Sequence, residues 1–267
     1  MTYVISALGF EISPDLQEQL DVLRNERIDY IEFRGADNRW LLDFNESEIR
    51  KIGRQIQRND LRVSSVASPV GKTSVMDAFN IADLKRSLEY ASILQSPNLR
   101  IFSFFVPKGV DPNTYRDEIF GRLEDMVTVA SDYPVKLCHE NETGTFGETP
   151  ERSLDIYGEF PSMRAVFDPA NFVRSGCDPL RCLISMRDFV EYFHIKDMSI
   201  ESGKYVVAGE GDAKLKQILS EMKKEERVIF LSLEPSLGDY VQGKRELTGP
   251  NRFRQHSASL RKILSEI

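Results

Sequence analysis

Four apolar segments in the second half of the chain each end on a side chain that can bind a metal ion. The side chains are Glu140, Asp168, His194 and Glu234, in the segments LCHEN, VFDPAN, FHIKD and LSLEP. Three carboxylates and one imidazole brought together would repel one another without a cation, and one divalent metal ion removes that repulsion. The oxygen-rich donor set favours Mn²⁺ or Mg²⁺, with Co²⁺ and Zn²⁺ as alternatives.

Histidine is too scarce for most other metal chemistry. The chain has 267 residues and only three histidines, so a site built from several of them is nearly impossible. The four candidates match neither the two-His-one-carboxylate set of iron oxygenases nor a three-His hydratase set. The cysteines are odd in number and lack CxxC spacing, so we expect neither a disulfide framework nor a zinc knuckle.

Strand-like and helix-like segments alternate along the whole chain. Apolar or alternating runs predict eight strands: 4–9, 30–34, 62–67, 99–106, 135–140, 164–168, 190–196 and 228–234. Eight helical patterns lie between and after them. A capping side chain followed by proline predicts helix starts at Ser13-Pro14, Asp111-Pro112, Thr149-Pro150 and Asp178-Pro179.

This alternation predicts a barrel. It implies parallel strands with right-handed crossovers, and eight units fit a closed (β/α)8 TIM barrel of about 250 residues. We therefore expect one domain over residues 1–267. An open doubly wound sheet is the alternative, but the loop after the first strand, GFEISP, has one glycine and no GxGxxG pattern.

The predicted fold brings the four candidates together. Function in such barrels lies at the carboxyl ends of the strands, and strand alternation directs all four side chains into the barrel mouth. The first four strands end without comparable chemistry, on Phe10, Arg34, Ser68 and Val106.

At these residues the sequence resembles the xylose isomerase-like TIM barrel superfamily, the sugar phosphate isomerase/epimerase group. The resemblance covers essentially the whole chain. It rests on an ordered series of motifs: HENETGTFGETPE from His139, FDPANF from Phe167, HIKD from His194, GEGD from Gly209 and LEP from Leu233.

The resemblance implies that Glu140, Asp168, His194 and Glu234 bind one divalent metal ion, and that Glu140 and Glu234 act as an acid/base pair. The expected reaction is isomerisation or epimerisation of a small sugar or polyol-derived ketone through an enediolate. A metal that binds the carbonyl and the adjacent hydroxyl would stabilise that charge, and two glutamates on opposite faces could remove and return a proton.

Three alternatives remain open at this point. A metal-dependent dehydratase of the inosose dehydratase type would use the same enolisation and then lose water. An endonuclease IV-like nuclease is disfavoured, since it needs a multinuclear site rich in histidine. A barrel that binds a ligand without catalysis is the third.

Four further residues are candidates for substrate binding. Lys196 shares the inward direction of His194, and Asn171 follows Asp168 in a position where epimerases of the family commonly carry histidine. Arg34 ends the second strand and Trp40 follows it, where an indole could stack on a sugar ring. For each, a packing or surface role is the alternative.

The composition limits the partners. The net charge of −7 disfavours nucleic acid, which needs a clustered basic surface. No apolar run approaches the roughly 20 residues of a membrane span, and we expect a cytoplasmic protein that forms homo-oligomers as barrels of this family often do. We also expect the Gly209-Glu210-Gly211 turn to shape a loop and not to bind phosphate, His139 to be structural, and His256 to be exposed.

Overall fold

The structure is a computed structural model that describes residues 2–224, 227–241 and 244–267. Eight parallel strands form a closed barrel, in the order β1-β8-β7-β6-β5-β4-β3-β2. The strands are Thr2–Leu8 (β1), Tyr30–Phe33 (β2), Arg62–Ala67 (β3), Asn98–Ile101 (β4), Lys136–Glu140 (β5), Arg164–Phe167 (β6), Val190–Ile195 (β7) and Val228–Leu233 (β8). The predicted (β/α)8 fold is confirmed.

Nine α-helices lie in the described part of the chain and cover the outside of the barrel. They are Leu16–Asn25 (α1), Glu46–Arg58 (α2), Ile81–Ile93 (α3), Arg116–Ala130 (α4), Pro150–Glu159 (α5), Pro169–Arg174 (α6), Pro179–Met186 (α7), Leu215–Met222 (α8) and Gly249–Ser265 (α9). None of the helices described is long and apolar enough to cross a membrane.

The helix count was wrong, and several predicted boundaries differ from the structure; two examples show why. The helix expected at Ser13-Pro14 begins at Leu16, because Asp15 and not Ser13 accepts the backbone N–H of Glu18. The fourth strand ends at Ile101 and not at residue 106; Phe104 has a left-handed φ of 61°, which an extended strand cannot accommodate. The ninth helix is α6, a six-residue segment directly after β6.

The strand pleat divides the barrel into an apolar floor and a polar mouth. Cys138, Val166 and Tyr192 form a small buried cluster with Phe230. Each lies two residues, or four for Phe230, before one of the metal-ligand candidates, so the pleat places it on the same inward face and deeper in the barrel. The candidates therefore stand on a packed floor and not in an open channel.

Three short antiparallel ribbons extend the loops at the mouth. They pair Gly35–Ala36 with Arg39–Trp40, Asp197–Ser199 with Lys204–Val206, and Tyr240–Val241 with Lys244–Arg245. These ribbons follow β2, β7 and β8, at the carboxyl ends of the strands where barrel enzymes hold their substrates.

Candidate metal centre

The four side chains predicted as metal ligands meet at the mouth of the barrel. One ligand atom from each of Glu140, Asp168, His194 and Glu234 lies within 4.8 Å of all the others. Glu140 is the last residue of β5, Asp168 and Glu234 directly follow β6 and β8, and His194 is next to last in β7. All four are buried, with Glu234 the most exposed at 7%.

His194 lies at the centre of this cluster. Its Nδ1 is 2.9 Å from Glu234 Oε2 and 3.2 Å from Glu140 Oε1. Its Nε2 points the other way, toward the carboxylate of Glu32 at 3.1 Å. The two ring nitrogens therefore face different carboxylates, and only Nδ1 faces the other predicted ligands.

The chain around Asp168 orients that carboxylate. Its Oδ1 caps α6 by accepting the backbone N–H of Asn171 at 2.9 Å. The side chain of Asn141 holds the backbone of Asp168 from both sides, accepting its N–H and donating to its carbonyl at 2.9 Å each. With one oxygen used as a helix cap, Oδ2 is left to face the cluster.

Two cations also reach the cluster. Lys196 Nζ lies 2.5 Å from Asp168 Oδ2 and 3.4 Å from Glu234 Oε2, and Arg100 Nη1 lies 3.2 Å from Glu140 Oε2. Arg100 is buried in β4 and stacks over Phe102 at 4.6 Å. The structure thus places Lys196 beside the predicted ligands, as expected, and adds Arg100.

Burial and charge act in opposite directions on these groups. Burial would raise the pKa of Glu140, but His194 and Arg100 together lower it to about 2. Burial would also raise the pKa of Glu234, but Lys196 and His194 hold it well below its usual value. Both glutamates are therefore ionised at neutral pH.

The pKa values of the other two predicted ligands, Asp168 and His194, are raised. Burial raises the pKa of Asp168 to about 6, with Glu234 and Glu140 adding to the shift and Lys196 opposing it. Burial would lower the pKa of His194, yet Glu32 and Glu140 raise it well above its usual value. Without a metal ion, His194 therefore carries a second proton at neutral pH.

A divalent cation fits this donor set. Glu140 Oε2 and Asp168 Oδ2 are buried oxygens that accept no well-directed hydrogen bond, although a cation lies near each. Among the described residues of this region, the carboxylates of the three acidic candidates and of Glu32 face two permanent cations, Lys196 and Arg100. Two negative charges remain when His194 is neutral, and a divalent ion balances them.

Asn171 also belongs to the cluster. Its side-chain amide donates to Glu140 Oε1 at 3.3 Å, and its backbone N–H donates to the carboxylate of Asp168. A histidine at this position could exchange a proton with a substrate, whereas the amide can only donate and accept hydrogen bonds. This difference separates the chain from the epimerase pattern at one position.

Arg34 and Trp40 lie on the rim above β2. The Arg34 guanidinium lies 4.6 Å from the centre of the Trp40 ring, and Phe10 contacts the same indole at 4.7 Å. Trp40 is 47% exposed. These two candidates contact each other at the mouth; their role in binding a substrate stays a prediction.

Sequence reasoning missed Glu32 and Arg100 because it considered only the ends of the first four strands. Both are buried charged residues within strands, at the third position of β2 and of β4. The available signal was a charge inside an apolar segment, since lone charges are almost never fully buried without a partner.

The other two histidines are turned away from the site. His139 bonds to Ser103 and Tyr157 outside the barrel, which agrees with a structural role. The expectation that His256 is exposed was wrong: it is fully buried and lies 2.9 Å from the carbonyl of Ile195. Burial lowers the pKa of both rings to about 4, so both are neutral at neutral pH.

The Gly209-Glu210-Gly211 turn is filled by a side chain of the protein itself. Asp197 accepts the backbone N–H groups of Gly209, Gly211 and Ala213 at 2.8 to 3.1 Å. The donors that could have held a phosphate are thus used to fix the loop, as expected of a turn that shapes it.

A cavity of about 670 Å³ lies among the loops that follow β6, β7 and β8, and none of the four predicted ligands lines it. It is bounded by α6, by the ribbon after β7 and by the segment after β8, including Arg174, Met198, Tyr205 and Leu237. The Tyr205 ring in its wall is 5.6 Å from Lys196 Nζ. This volume suits a small molecule.

Comparisons with known proteins agree with this architecture. The family model described as xylose isomerase-like TIM barrel matches residues 20–263. No curated protein sequence matches the chain.

Solved structures share the fold at low sequence identity. An IOLI protein with a binding zinc atom has a TM-score of 0.77 at 16% identity, with 100% of this chain and 99% of that chain covered. A D-tagatose 3-epimerase-like protein has a TM-score of 0.76 at 16% identity, covering 98% and 97%. The probable 3-DHS dehydratase AsbF from Bacillus anthracis has a TM-score of 0.74 at 16% identity, covering 99% of both chains.

Proposed function

The chain belongs to the xylose isomerase-like TIM barrel family, and we propose that it is a divalent-metal-dependent isomerase or epimerase of a small sugar or sugar-derived ketone. The observation that carries this proposal is the convergence of four ligand atoms within 4.8 Å, where four carboxylates including Glu32 face only two permanent cations, Lys196 and Arg100. Buried carboxylates without compensation are costly. A metal-binding role explains why they stand together.

The residues that would hold the ion are Glu140, Asp168, His194 and Glu234. Their oxygen-rich set favours Mn²⁺ or Mg²⁺, and Zn²⁺ or Co²⁺ also accepts such ligands. A bound divalent ion would act there as a Lewis acid toward a substrate carbonyl.

In this proposal the two glutamates move protons on opposite sides of a substrate. Glu140 and Glu234 end β5 and β8, which lie three strands apart around the barrel. Both are ionised at neutral pH, so either can take a proton from the carbon next to a carbonyl, leaving the electron pair in an enediolate. Return of a proton to that carbon from the other face gives an epimer. Return to the former carbonyl carbon, with the hydroxyl proton passing to the former carbonyl oxygen, gives an isomer.

The proposed role of Lys196 is to stabilise the negative charge that forms on the substrate. Burial would lower the pKa of its ammonium, but Asp168 and Glu234 raise it well above its usual value, so the group stays charged. A fixed ammonium close to a developing oxyanion lowers the barrier to enolisation. Asn171 can hold a substrate hydroxyl or the Glu140 carboxylate in place.

The cavity whose wall includes Tyr205, 5.6 Å from Lys196 Nζ, supports a small-molecule substrate. Its volume of about 670 Å³ accommodates a monosaccharide-sized ligand, and the loops around it follow β6, β7 and β8. The endonuclease IV-like alternative is not supported, since His194 alone of the three histidines reaches the cluster.

The experiment is product analysis in D₂O with Mn²⁺-loaded protein and a panel of ketoses and keto-polyols. We expect a product with solvent deuterium at the reacting carbon and otherwise unchanged mass. Loss of water would assign the dehydratase reaction instead, which shares the first proton removal. If the metal-loaded protein exchanged no substrate proton with solvent across the panel, the proposed function would be overturned.

A further inference from the structure

Glu32 is a buried carboxylate with no part in the proposed chemistry, yet three side chains converge on it. It is fully buried at the third position of β2. Tyr192 Oη donates to Oε1 at 2.9 Å, and Ser232 Oγ donates to Oε2 at 2.5 Å. His194 Nε2 lies 3.2 and 3.1 Å from the two oxygens.

These contacts determine which nitrogen of His194 carries a proton. Both oxygens of Glu32 accept hydrogen bonds from hydroxyl groups, Oε1 from Tyr192 and Oε2 from Ser232. The same two oxygens lie 3.2 and 3.1 Å from His194 Nε2. A carboxylate that accepts on both oxygens is an acceptor for the ring as well, so the group at Nε2 is an N–H.

The opposite edge of the ring faces the predicted ligands. His194 Nδ1 is 2.9 Å from Glu234 Oε2 and 3.2 Å from Glu140 Oε1. Once Nε2 is fixed as the donor, Nδ1 supplies the lone pair that a metal ion needs.

We propose that Glu32 is the positioning residue of the metal centre: it holds His194 as the Nε2–H tautomer, with Nδ1 aimed at the ion, and is itself held by Tyr192 and Ser232. This inference rests on the proposed metal site. Glu32 is not a fifth ligand, because it lies on the Nε2 side of the ring and its two oxygens already accept hydrogen bonds from Tyr192 and Ser232. Loss of a carboxylate that orients a metal-bound histidine typically costs about 10- to 100-fold in metal affinity.

The test combines metal affinity with a direct observation of the ring nitrogens. Mn²⁺ binding is measured by titration calorimetry for the wild type, Glu32→Gln and Glu32→Ala. Long-range ¹H–¹⁵N correlation spectra are recorded on the Zn²⁺-loaded wild type, where only three histidines need assignment. Glu11→Gln is the matched control, because Glu11 is a buried glutamate that bonds to Thr248.

We expect His194 Nε2 to carry the proton and Nδ1 to bind zinc. Mn²⁺ affinity should fall about tenfold in Glu32→Gln, whose amide oxygen still accepts a weaker bond, and about 100-fold in Glu32→Ala. Glu11→Gln should bind Mn²⁺ as the wild type does.

Two results would overturn the inference alone: zinc bound through Nε2 in the wild type, or Mn²⁺ affinity within twofold of the wild type in both Glu32 variants. A wild type that binds neither ion would overturn the proposed function, and this inference with it. If Glu32→Ala fails to fold, the wild-type spectrum and Glu32→Gln still decide the question.

Discussion

The two halves of the barrel contribute to the site in different ways. The second half, β5 to β8, supplies Glu140, Asp168, His194 and Glu234, three of them at or just beyond a strand end. The first half, β1 to β4, supplies Glu32 and Arg100 from within strands. The second half thus presents groups to a ligand, while the first half balances and orients them from below.

This division teaches that a charged site needs support on the side away from the ligand. Arg100 lowers the pKa of Glu140, and Glu32 faces the far nitrogen of His194. If the division is right, substitutions in the second half should mainly reduce catalysis or metal binding. Substitutions in the first half should act indirectly: they should lower the stability of the protein, as at Arg100, or weaken metal binding through the orientation of His194, as at Glu32.

The largest effect is expected from the acid/base pair. Glu140→Gln and Glu234→Gln remove a proton acceptor with little change of shape, so kcat should fall on the order of 10²- to 10⁴-fold. Steady-state kinetics and circular dichroism check activity and fold. Glu191→Gln, on the outer side of β7 where Glu191 pairs with Lys136, is the control and should be fully active. Retained turnover in either site variant would remove that residue from the acid/base role.

Arg100 tests the first half. Arg100→Met leaves the buried Glu140 carboxylate without its guanidinium partner and the carbonyl of Ser68 without a donor. The free energy of unfolding of the metal-free protein should fall by about 3–5 kcal/mol, as measured by urea denaturation. Mn²⁺ affinity should not fall, because a competing positive charge is removed.

Arg164→Met is the matched control for that change. Arg164 lies on the outer side of β6, partly exposed, and pairs with Glu191. Its loss should cost about 1 kcal/mol or less. Equal losses of stability in Arg100→Met and Arg164→Met would show that the buried Arg100–Glu140 pair contributes no more to stability than the partly exposed Arg164–Glu191 pair.

The pH dependence of metal binding tests the second half. Burial raises the pKa of Asp168 to about 6, and neighbouring carboxylates raise that of His194 well above its usual value. Both groups must lose their protons to bind a metal ion. A raised pKa keeps the proton bound to higher pH, so Mn²⁺ affinity should increase with pH, by roughly tenfold per pH unit for each displaced proton.

Calorimetric titrations with Mn²⁺ at about pH 6 and about pH 8 measure this change. Repeating them in buffers of different ionisation enthalpy counts the protons released. Asp168, with a pKa of about 6, loses its proton near the lower end of this range, so the increase reports mainly the proton on His194. An affinity that does not vary from about pH 6 to about pH 8 would show that His194 carries no second proton in the metal-free protein.

The smallest effect is expected at the rim. Trp40 is 47% exposed and held by Phe10 and Arg34. If its indole stacks on the substrate, Trp40→Ala should raise KM roughly fivefold, or about 1 kcal/mol, with kcat unchanged. Ile184→Ala, an exposed apolar residue on α7, is the control. An unchanged KM would limit Trp40 to packing.

The fold could be predicted because hydrophobic periodicity and helix capping are local signals. The strand Arg62–Ala67 was predicted at its exact bounds, and Asp178 caps α7 as its Asp-Pro pair indicated. The predicted fourth strand was too long, because no feature of an apolar segment indicates the left-handed backbone conformation of Phe104. Helix α6 was missed because it is short and its capping residue is Asp168, which the sequence marks as a strand end.

The site could be predicted only where its residues stand at strand ends. The four ligand candidates follow apolar segments, and barrel geometry brings those positions together. Glu32 and Arg100 lie inside strands, where the alternation of side chains predicts which face a side chain points to but not which residue it contacts. Glu32 contacts His194 across the barrel, 162 positions away in the chain. Arg100 contacts Glu140 on the neighbouring strand β5, about forty positions away. No local pattern encodes such pairs.

His256 was misplaced for a different reason. Phe253, His256 and Leu260 share the buried face of α9 at helical spacing, so the pattern was present but was not applied to a polar residue.

The central claim is that the four ligand residues hold one divalent ion. The most direct measurement is an anomalous difference map at the manganese edge from crystals grown with Mn²⁺. We predict one strong peak bonded to Glu140, Asp168, Glu234 and His194 Nδ1, with Glu32 on the opposite edge of the imidazole. A map with no peak between these side chains, or with the ion bound elsewhere, would contradict the account.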